Sequence, residues 1–516
     1  MNIIDFSSTI SRLCIFVAFA AVFSAQTSHA CSSCFSCLAV VVSSFAASIP
    51  SAVYSQRSHI RYPKFCPFRI APFACAPLET SNDDITTTTT SQTLKSAKIA
   101  LKNGPTSGTY LNFAAKVANI KFTDIGAIGS LGDSVSAGLF VDDRSVGNIV
   151  LDPGSKQEFR SLSWATGANF GFPSIYNMFR QLNQPAPVFG GSFADTKRHA
   201  EQIGPALGLN MAVSSSAMMD IPRQIDRLVF TFNRLTSGNG HESSLNSSDI
   251  NRNQLKNSSN QVMLGDDKWL MVYLFAGGYD ICRYCDSHKK PQSKTAWEFF
   301  EDRLRASLER LRIHMQNKRR VLVNLVGYFD LLDIRDIVEN DLKCLTVQKA
   351  ARICRCLFDG DTANYKLYIE KLRLKINQIM KKIAWEYQAR YLQQVIIQNS
   401  DKRTIKPTKT YEFLVYYQPA LEDLNLSRFG SALVSPVDCF HPNRCGQSLL
   451  AYAQFNSLML ASEREKRSQI NYIKSLVKPI SGDKNKFAAK ILDKLMFFNK
   501  RSSSMWYCPS KHSFIR

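Results

Sequence analysis

Short apolar runs alternate with longer amphipathic segments through the central part of the chain. The runs have the length of strands, and in the longer segments apolar residues recur at the spacing of a helix face. The predicted strands are DIGAIGSL (124–131), GLNMAVS (208–214), WLMVYLFAGG (269–278), RRVLVNLVGYF (319–329) and YEFLVYYQP (411–419). The predicted helices are PSIYNMFRQLN (173–183), DIPRQIDRLVFTFNRL (220–235), AWEFFEDRLRASLERLRIHMQ (296–316) and residues 364–394. This alternation predicts an α/β fold, with a parallel sheet covered by helices on both faces.

Signals at the two ends of the chain set the expected domain boundaries. The apolar run LCIFVAFAAVFSA, preceded by an arginine and followed by small residues, predicts a signal peptide over residues 1–30. It also predicts secretion, or delivery to the lumenal or extracellular side of a membrane. Residues 31–95 combine scattered cysteines with a Ser/Thr-rich stretch and are expected to form an N-terminal region and linker. The folded domain is expected over residues 96–461, and residues 462–516 form a basic tail.

The chain carries a strong excess of positive charge, with 64 Lys and Arg against 42 Asp and Glu and a formal net charge of +22. The tail contributes thirteen basic residues and four acidic ones. A basic surface attracts polyanions or anionic lipid. Because no nucleic-acid-binding motif accompanies the charge and a signal peptide is predicted, an anionic membrane surface is the expected partner and nucleic acid is not.

Fourteen cysteines fit an oxidising compartment, in which a near pair such as Cys282 and Cys285 is expected to form a disulfide. The alternative is a zinc site built from Cys282, Cys285 and His288 in CRYCDSH. No second Cys-x-x-Cys or histidine pair lies at the usual distance along the chain, so the disulfide is favoured and no metal or other cofactor is expected. Three glycosylation sequons fit the same compartment, at Asn246, Asn257 and Asn425.

The stretch AIGSLGDSVSAG (127–138) places a Gly-Asp-Ser directly after the first predicted strand. The following residues begin a predicted helix, with Asp133 as its N-cap. Ser134 would then have an exposed hydroxyl at a strand-to-helix turn, near the positive end of the helix dipole. Both conditions favour a nucleophile, whereas the alternative is an ordinary serine at a helix N-terminus.

Of the eight histidines, His441 has the surroundings expected of a general base. It lies in DCFHPN, between the last predicted strand and the final helix, and Asp438 precedes it by three residues. An acid at that position can hold the imidazole tautomer and stabilise the imidazolium. Because chemistry in open parallel sheets collects at the carboxyl ends of the strands, Ser134, Asp438 and His441 are expected to converge there.

Four motifs occur in the block order of the SGNH or GDSL hydrolases: GDS after the first strand, NMAVSSS after the second, AGGYD after the third and DCFH before the last helix. Several longer segments resemble the phospholipase B branch of that group more narrowly. They are FRSLSWATG, NMAVSSSAMMDIPRQIDRLV, LFAGGYDICRYC, VLVNLVGYFDL and DCFHPN, together with Cys344, Cys354 and Cys356. The resemblance covers roughly residues 95–460.

This resemblance implies a flavodoxin-like, three-layer α/β/α domain that hydrolyses acyl esters of phospholipids or lysophospholipids. Ser134 would be the nucleophile, His441 the base and Asp438 its orienting acid. The oxyanion donors would come from Ser134, Ser215 and position 279, which is Tyr279 in this chain.

The chain departs from the family pattern twice, and both departures lie in the oxyanion site. Ser215 replaces a glycine, which keeps the backbone N–H but has a conformational cost if the turn requires a positive φ. Tyr279 replaces an asparagine, so a side-chain amide is lost and a longer hydroxyl donor takes its place. Two alternatives to an esterase therefore stay open: a non-catalytic lipid-binding descendant, and a secreted protein that binds polyanions through its basic tail.

Overall fold

A computed structural model of the chain describes residues 120–142, 157–197, 208–236, 264–265, 267–287, 295–316, 319–351, 353–358, 362–400, 412–422 and 424–459. All of them belong to one unit, Phe65–Arg516. The predicted signal peptide, the N-terminal region and linker, and the basic tail lie outside these residues, as do the sequons at Asn246 and Asn257. Within the described ranges, the helices include none that is both long enough and apolar enough to cross a membrane.

The centre of the domain is a parallel sheet. In chain order the described strands are β1 (Ile125–Gly132), β2 (Gln157–Glu158), β3 (Thr196–Lys197), β4 (Trp269–Phe275), β5 (Arg320–Val326) and β6 (Phe413–Gln418). β1, β4, β5 and β6 pair in that order and all in parallel, whereas β2 and β3 form a separate antiparallel pair. β1 and β4 are buried at every position, as expected for strands covered on both faces. The first, third, fourth and fifth predicted strands are thus confirmed.

The second predicted strand, GLNMAVS, is only partly correct. The segment runs parallel to β1, but the pairing is a single bridge between Ser130 and Asn210. The Ser130 N–H donates to the Leu209 carbonyl at 3.0 Å, and the Met211 N–H donates to the Ser130 carbonyl at 2.8 Å. The chain then turns at Ser215, so too few residues stay extended to form a regular strand.

Helices cover the sheet on both faces. In chain order the described helices are α1 (Ser134–Ala137), α2 (Ile175–Leu182), α3 (Ile221–Thr236), α4 (Gly278–Ser287), α5 (Ala296–Met315), α6 (Leu331–Glu339), α7 (Leu342–Ala351), α8 (Arg355–Phe358), α9 (Thr362–Ser400) and α10 (Arg444–Met459). α3, α5 and α9 pack side by side on one face, and α2 packs with α10 on the other. The predicted helices correspond to α2, α3, α5 and α9, and the predicted three-layer α/β/α fold is confirmed.

The predicted pairing of Cys282 with Cys285 is wrong. Cys282, in α4, is joined to Cys354, which precedes α8 and lies 72 residues further along the chain. A sulfur atom forms one disulfide, so Cys282 is available neither to Cys285 nor to a metal ion. Across the described part of the chain, no three His, Cys, Asp or Glu side chains are grouped as metal ligands. The zinc alternative therefore loses its first ligand.

Candidate active site

Gly132 ends β1 in a conformation that favours glycine. Its φ is +145°, and a Cβ added here would lie 2.0 Å from the carbonyl oxygen of Phe275 in β4. The chain then turns into α1, where the Asp133 Oδ1 accepts a hydrogen bond from the Val135 N–H at 3.0 Å. Ser134 is the first residue of α1 and is half-buried. The predicted strand-to-helix placement of Ser134 and the cap by Asp133 are confirmed.

The helix behind Ser134 is only one turn long. α1 ends at Ala137, and Gly138 follows in the left-handed conformation with a φ of +75°. A helix dipole grows from aligned peptide units, so a helix of four residues provides a small one. The dipole of α1 therefore contributes little at the Ser134 hydroxyl.

The structure brings Ser134, His441 and Asp438 together at the carboxyl edge of the sheet. The His441 Nε2 lies 2.7 Å from the Ser134 Oγ, and the His441 Nδ1 lies 2.5 Å from the Asp438 Oδ2. His441 and Asp438 are buried. The serine and the histidine are 307 residues apart in sequence, so the tertiary fold creates their contact. Hydroxyl, imidazole and carboxylate thus form one hydrogen-bonded series.

Asp438 is held on a tight turn that directs one oxygen at the imidazole. Its Oδ1 accepts hydrogen bonds from the backbone N–H groups of Phe440 and His441, each at 3.0 Å. The Oδ2 is thereby left facing the ring. The rings of Phe140 and Phe440 meet the His441 ring edge-on, with centroids 5.9 Å and 5.3 Å away. These contacts fix both the carboxylate and the plane of the imidazole.

Helix α7 braces this turn. Gln348 donates a hydrogen bond from its Nε2 to the carbonyl oxygen of Asp438. A disulfide joins Cys344 in α7 to Cys439, which lies in sequence between the acid and the base. Cys439 has a φ of +50°, a conformation that residues other than glycine rarely adopt. The disulfide and the hydrogen bond therefore stabilise a turn that is locally unfavourable.

Ser215 has a φ of +64°, so the conformational cost expected for a serine at this position is present. A buried ion pair supports its loop. The Glu158 Oε2 lies 2.6 Å from the Arg160 Nη2, and the Glu158 Oε1 accepts the Ser214 N–H at 2.9 Å. The Arg160 Nη1 donates to the carbonyl oxygen of Asn210 at 2.8 Å. The loop that carries Ser215 is thus held by charged groups inside the domain.

Tyr279 lies in the first turn of α4, beside the turn that carries Ser134. The N–H of the preceding residue, Gly278, hydrogen-bonds the Asp133 carboxylate. The Tyr328 hydroxyl donates to the Asp133 Oδ2 at 3.2 Å. Asp133 directly precedes Ser134, so the contact from Gly278 brings the start of α4 close to Ser134. Tyr279 is 41% exposed, so its side chain lies partly in solvent.

Two buried carboxyl groups influence each other beside the turn that carries Ser134: Asp133, which directly precedes Ser134, and Asp280 in α4. Burial raises the pKa of Asp133 to about 6, against the hydrogen bonds that lower it. Burial raises the pKa of Asp280 to about 7, and the Asp133 charge adds to this increase. The Asp280 Oδ2 also accepts the Met218 N–H at 2.9 Å. Because Met218 is three residues from Ser215, Asp280 ties the Ser215 loop to α4.

The sequence patterns indicate Ser134, Asp438 and His441 but give little sign of the groups that hold them. Glu158 and Arg160 left a weak signal, as two opposite charges beside the apolar and small residues of QEFRSLSWA. Asp280 left another, because it follows Tyr279 in AGGYD. Gln348 left none, since nothing in CLTVQKAARICRC indicates that it contacts a residue 90 positions away.

Comparison with known proteins adds an independent observation. The family described as GDSL-like lipase/acylhydrolase matches residues 128–453, more than half of the chain. Phospholipase B1, membrane-associated, from Homo sapiens is 25% identical over 354 residues, which cover 66% of this chain and 20% of that protein. The proteins of the same name from Rattus norvegicus and Mus musculus are 23% and 24% identical, over 68% and 66% of this chain and 21% and 20% of their own.

The matched part of the chain corresponds to about a fifth of the length of these relatives. No solved structure matches the chain. The region that matches the family includes Ser134, Asp438 and His441. The similarity to phospholipase B that the motifs predict is confirmed. On the match of the family over residues 128–453, together with the three-layer fold, the chain belongs to the GDSL-like lipase/acylhydrolase family.

Proposed function

We propose that this chain is a serine ester hydrolase that cleaves acyl ester bonds of phospholipids or lysophospholipids. One observation carries the proposal: the Ser134 Oγ lies 2.7 Å from the His441 Nε2, while Asp438 holds the other ring nitrogen at 2.5 Å. In this arrangement Ser134 is the nucleophile and His441 the general base. Asp438 orients the imidazole and stabilises its charged form.

The reaction follows from these positions. The Ser134 Oγ attacks the carbonyl carbon of the ester while the His441 Nε2 takes the hydroxyl proton. The imidazolium then gives that proton to the leaving alkoxide oxygen as its bond to the carbonyl carbon breaks, and an acyl-serine ester remains. A water molecule, deprotonated by His441, attacks this ester and releases the fatty acid and the free Ser134 hydroxyl.

The tetrahedral intermediate requires hydrogen-bond donors at its negative oxygen. The backbone N–H groups of Ser134 and Ser215 are proposed as two of them, and Tyr279 occupies the position of the third. The ion pair of Glu158 and Arg160 supports this role, because it holds the loop next to Ser215 from inside the domain.

The substrate class is proposed from the comparisons. The family is described by lipase and acylhydrolase activity, and the relatives are named phospholipase B1, membrane-associated. We carry over only an acyl ester of a phospholipid or lysophospholipid, because the chain corresponds to about a fifth of those proteins. A location outside the cytosol rests on the predicted signal peptide.

A fluorophosphonate probe tests the nucleophile. Because such a probe reacts with an activated serine, we expect it to label the wild-type chain at Ser134 and not to label Ser134→Ala. Ser136→Ala is the matched control, since Ser136 lies in the same turn of helix but is fully buried. Labelling is read by mass spectrometry of the modified peptide. A label on any peptide that lacks position 134 would remove Ser134 as the nucleophile.

Tyr279→Asn tests the third donor. If the amide is the missing group, this substitution should raise kcat for a soluble short-chain ester by about 10²-fold, equivalent to about 2.7 kcal/mol of transition-state stabilisation. The effect should fall on kcat, because the hydrogen bond forms mainly in the transition state. Initial rates of wild type and variant at saturating ester provide the measurement.

Tyr279→Phe is the matched control, because it removes only the hydroxyl. A loss of turnover in this variant, with little gain in Tyr279→Asn, would show that the tyrosine hydroxyl is itself the donor. No turnover in wild type, followed by activity in Tyr279→Asn, would favour the lipid-binding descendant. Equal rates in all three proteins would place residue 279 outside the oxyanion site.

A further inference from the structure

Helix α9 presents apolar side chains to solvent in its N-terminal half. Leu367 is 71% exposed and Leu374 is 45% exposed. They are seven residues apart, which is close to two helical turns, so they lie on the same face. Lys371 and Lys375 are exposed beside them on that face. An exposed leucine pair framed by lysines is unusual on a helix whose other face already packs in the core.

Helix α5 adds an aromatic residue to this face. The Lys371 Nζ lies 5.4 Å from the centroid of the Trp297 ring, and Trp297 is partly exposed. We define the α9 patch as Trp297, Leu367, Lys371, Leu374 and Lys375. Tryptophan, leucine and lysine together are the side chains that favour a membrane–water interface.

Neighbouring acidic groups do not neutralise the lysines of the α9 patch. Glu370 pairs with Arg373 at 2.6 Å. Glu301 pairs with Arg305 at 2.7 Å and with Lys382 at 3.1 Å. In the part of the chain that the structure describes, neither Lys371 nor Lys375 lies in an ion pair. The charge of the α9 patch is therefore available to an anionic partner.

The α9 patch lies at the same edge of the sheet as the reactive serine. Asn377 in α9 donates to the Tyr328 carbonyl at 3.0 Å and accepts the Tyr328 N–H at 2.8 Å, and the Tyr328 hydroxyl reaches Asp133. Further along α9, Gln388 donates to the carbonyl of Val415 within β6. α9 therefore runs from the carboxyl edge of the sheet back along β6.

The leucines precede the residue that contacts Tyr328. Leu374 lies one turn before Asn377, and Leu367 lies ten residues before it, which is about 15 Å along a helix. The first part of α9 thus extends beyond the carboxyl edge of the sheet, on the side of the molecule where Ser134 is found, with its inner face packed and its outer face carrying the leucines. A surface that covers the α9 patch would also face the active-site edge.

We propose that the α9 patch docks the protein on an anionic lipid surface. The lysines contact the lipid phosphates, the two leucines enter the outer acyl region and Trp297 lies at the level of the headgroups. A soluble polyanion would use the lysines and gain nothing from the leucines, so the combination favours a membrane. This inference goes beyond the proposed function, because it assigns a docking face distinct from both the catalytic centre and the basic tail.

Vesicle binding of the full chain tests the proposal. The vesicles contain phosphatidylcholine and phosphatidylglycerol in equal parts, and every protein carries Ser134→Ala so that hydrolysis does not alter them. Leu367→Gln with Leu374→Gln removes the apolar part and keeps good helix formers. Lys371→Gln with Lys375→Gln removes the charged part. Ile313→Gln is the matched control, because Ile313 is a 57% exposed residue at the opposite end of α5 from Trp297.

We expect the leucine double variant to bind these vesicles roughly tenfold more weakly or worse, since two leucines lose their apolar contact. The lysine double variant should lose about tenfold at low salt and less at high salt. Ile313→Gln should bind as wild type. The same leucine double variant, made without Ser134→Ala, should hydrolyse a soluble ester at the wild-type rate and should hydrolyse vesicle lipid more slowly than the wild type.

Wild-type binding by the leucine variant would overturn the proposal, and so would an equal loss in Ile313→Gln. Binding that depends on the lysines alone and is abolished by a soluble polyanion would overturn it in favour of a polyanion partner. A chain that turns over no ester still reports vesicle binding, so failure of the proposed activity and failure of the docking face are distinguishable.

Discussion

Replacing His441 by alanine is expected to lower kcat for a soluble ester by about 10⁶-fold, to nearly the rate left by Ser134→Ala. The reason is that the His441 Nε2 lies 2.7 Å from the serine hydroxyl, at the distance needed to take its proton. Residues that act as one catalytic unit give losses that do not add, so we expect Ser134→Ala combined with His441→Ala to lose no more than either single variant. Initial rates at saturating ester, measured on the purified full chain, give kcat for the wild type, the two single variants and the double variant.

His314→Ala is the matched control for this experiment. His314 lies in the last turn of α5, is partly exposed and has its Nε2 3.6 Å from the Asp226 carboxylate, so it contacts a surface acid and not Ser134. Its replacement should leave kcat unchanged. A His441→Ala variant that kept the wild-type rate would show that another group deprotonates the serine, and additive losses in the double variant would show that Ser134 and His441 act separately.

Replacing Asp438 by asparagine is expected to lower kcat by about 10⁴-fold. The asparagine can still accept the backbone N–H groups of Phe440 and His441 through its carbonyl oxygen, so the turn should persist. Its amide nitrogen would then face the His441 Nδ1, which in the wild-type chain lies 2.5 Å from the Asp438 Oδ2. The imidazole would have to carry its proton on Nε2, where it faces the serine hydroxyl and cannot act as a base.

The measurement is kcat together with the melting temperature, which separates a wrong tautomer from an unfolded turn. Asp336→Asn serves as the control, because Asp336 is an exposed acid of α6. An Asp438→Asn variant with a normal melting temperature and the wild-type kcat would mean that a different carboxylate orients the histidine. Asp133, which is buried next to Ser134, would be the first to examine.

The three side chains that meet at the candidate site were predictable because each left a local pattern. Ser134 follows a strand in a Gly-Asp-Ser turn, and Asp438 and His441 share a single short turn. The alternation of strands and helices then indicated that both turns lie at one edge of a parallel sheet. The side chains that meet through the fold could therefore be named from sequence positions that are distant from each other.

The supporting contacts were not predictable, since they depend on packing between distant segments. Glu158 contacts Ser214, which is 56 residues away, and Cys282 bonds to Cys354, which is 72 residues away. The nearer cysteine, Cys285, was the expected partner only because it was close in sequence. A short separation of two cysteines in sequence is a weak guide to disulfide pairing. On a helix such as α4, residues three apart have fixed side-chain directions, and a disulfide requires Cβ atoms that point toward each other.

The disulfide between Cys344 and Cys439 makes maturation of the site depend on where the chain is in the cell. While the chain is in a reducing cytosol, Ser134 can already occupy its local turn, but the turn of Asp438 and His441 lacks its covalent tie to α7. If the predicted signal peptide over residues 1–30 exports the chain, oxidation supplies that tie after export. We therefore expect a hydrolase that reaches full activity outside the cytosol, so that the lipids facing the compartment of synthesis are spared.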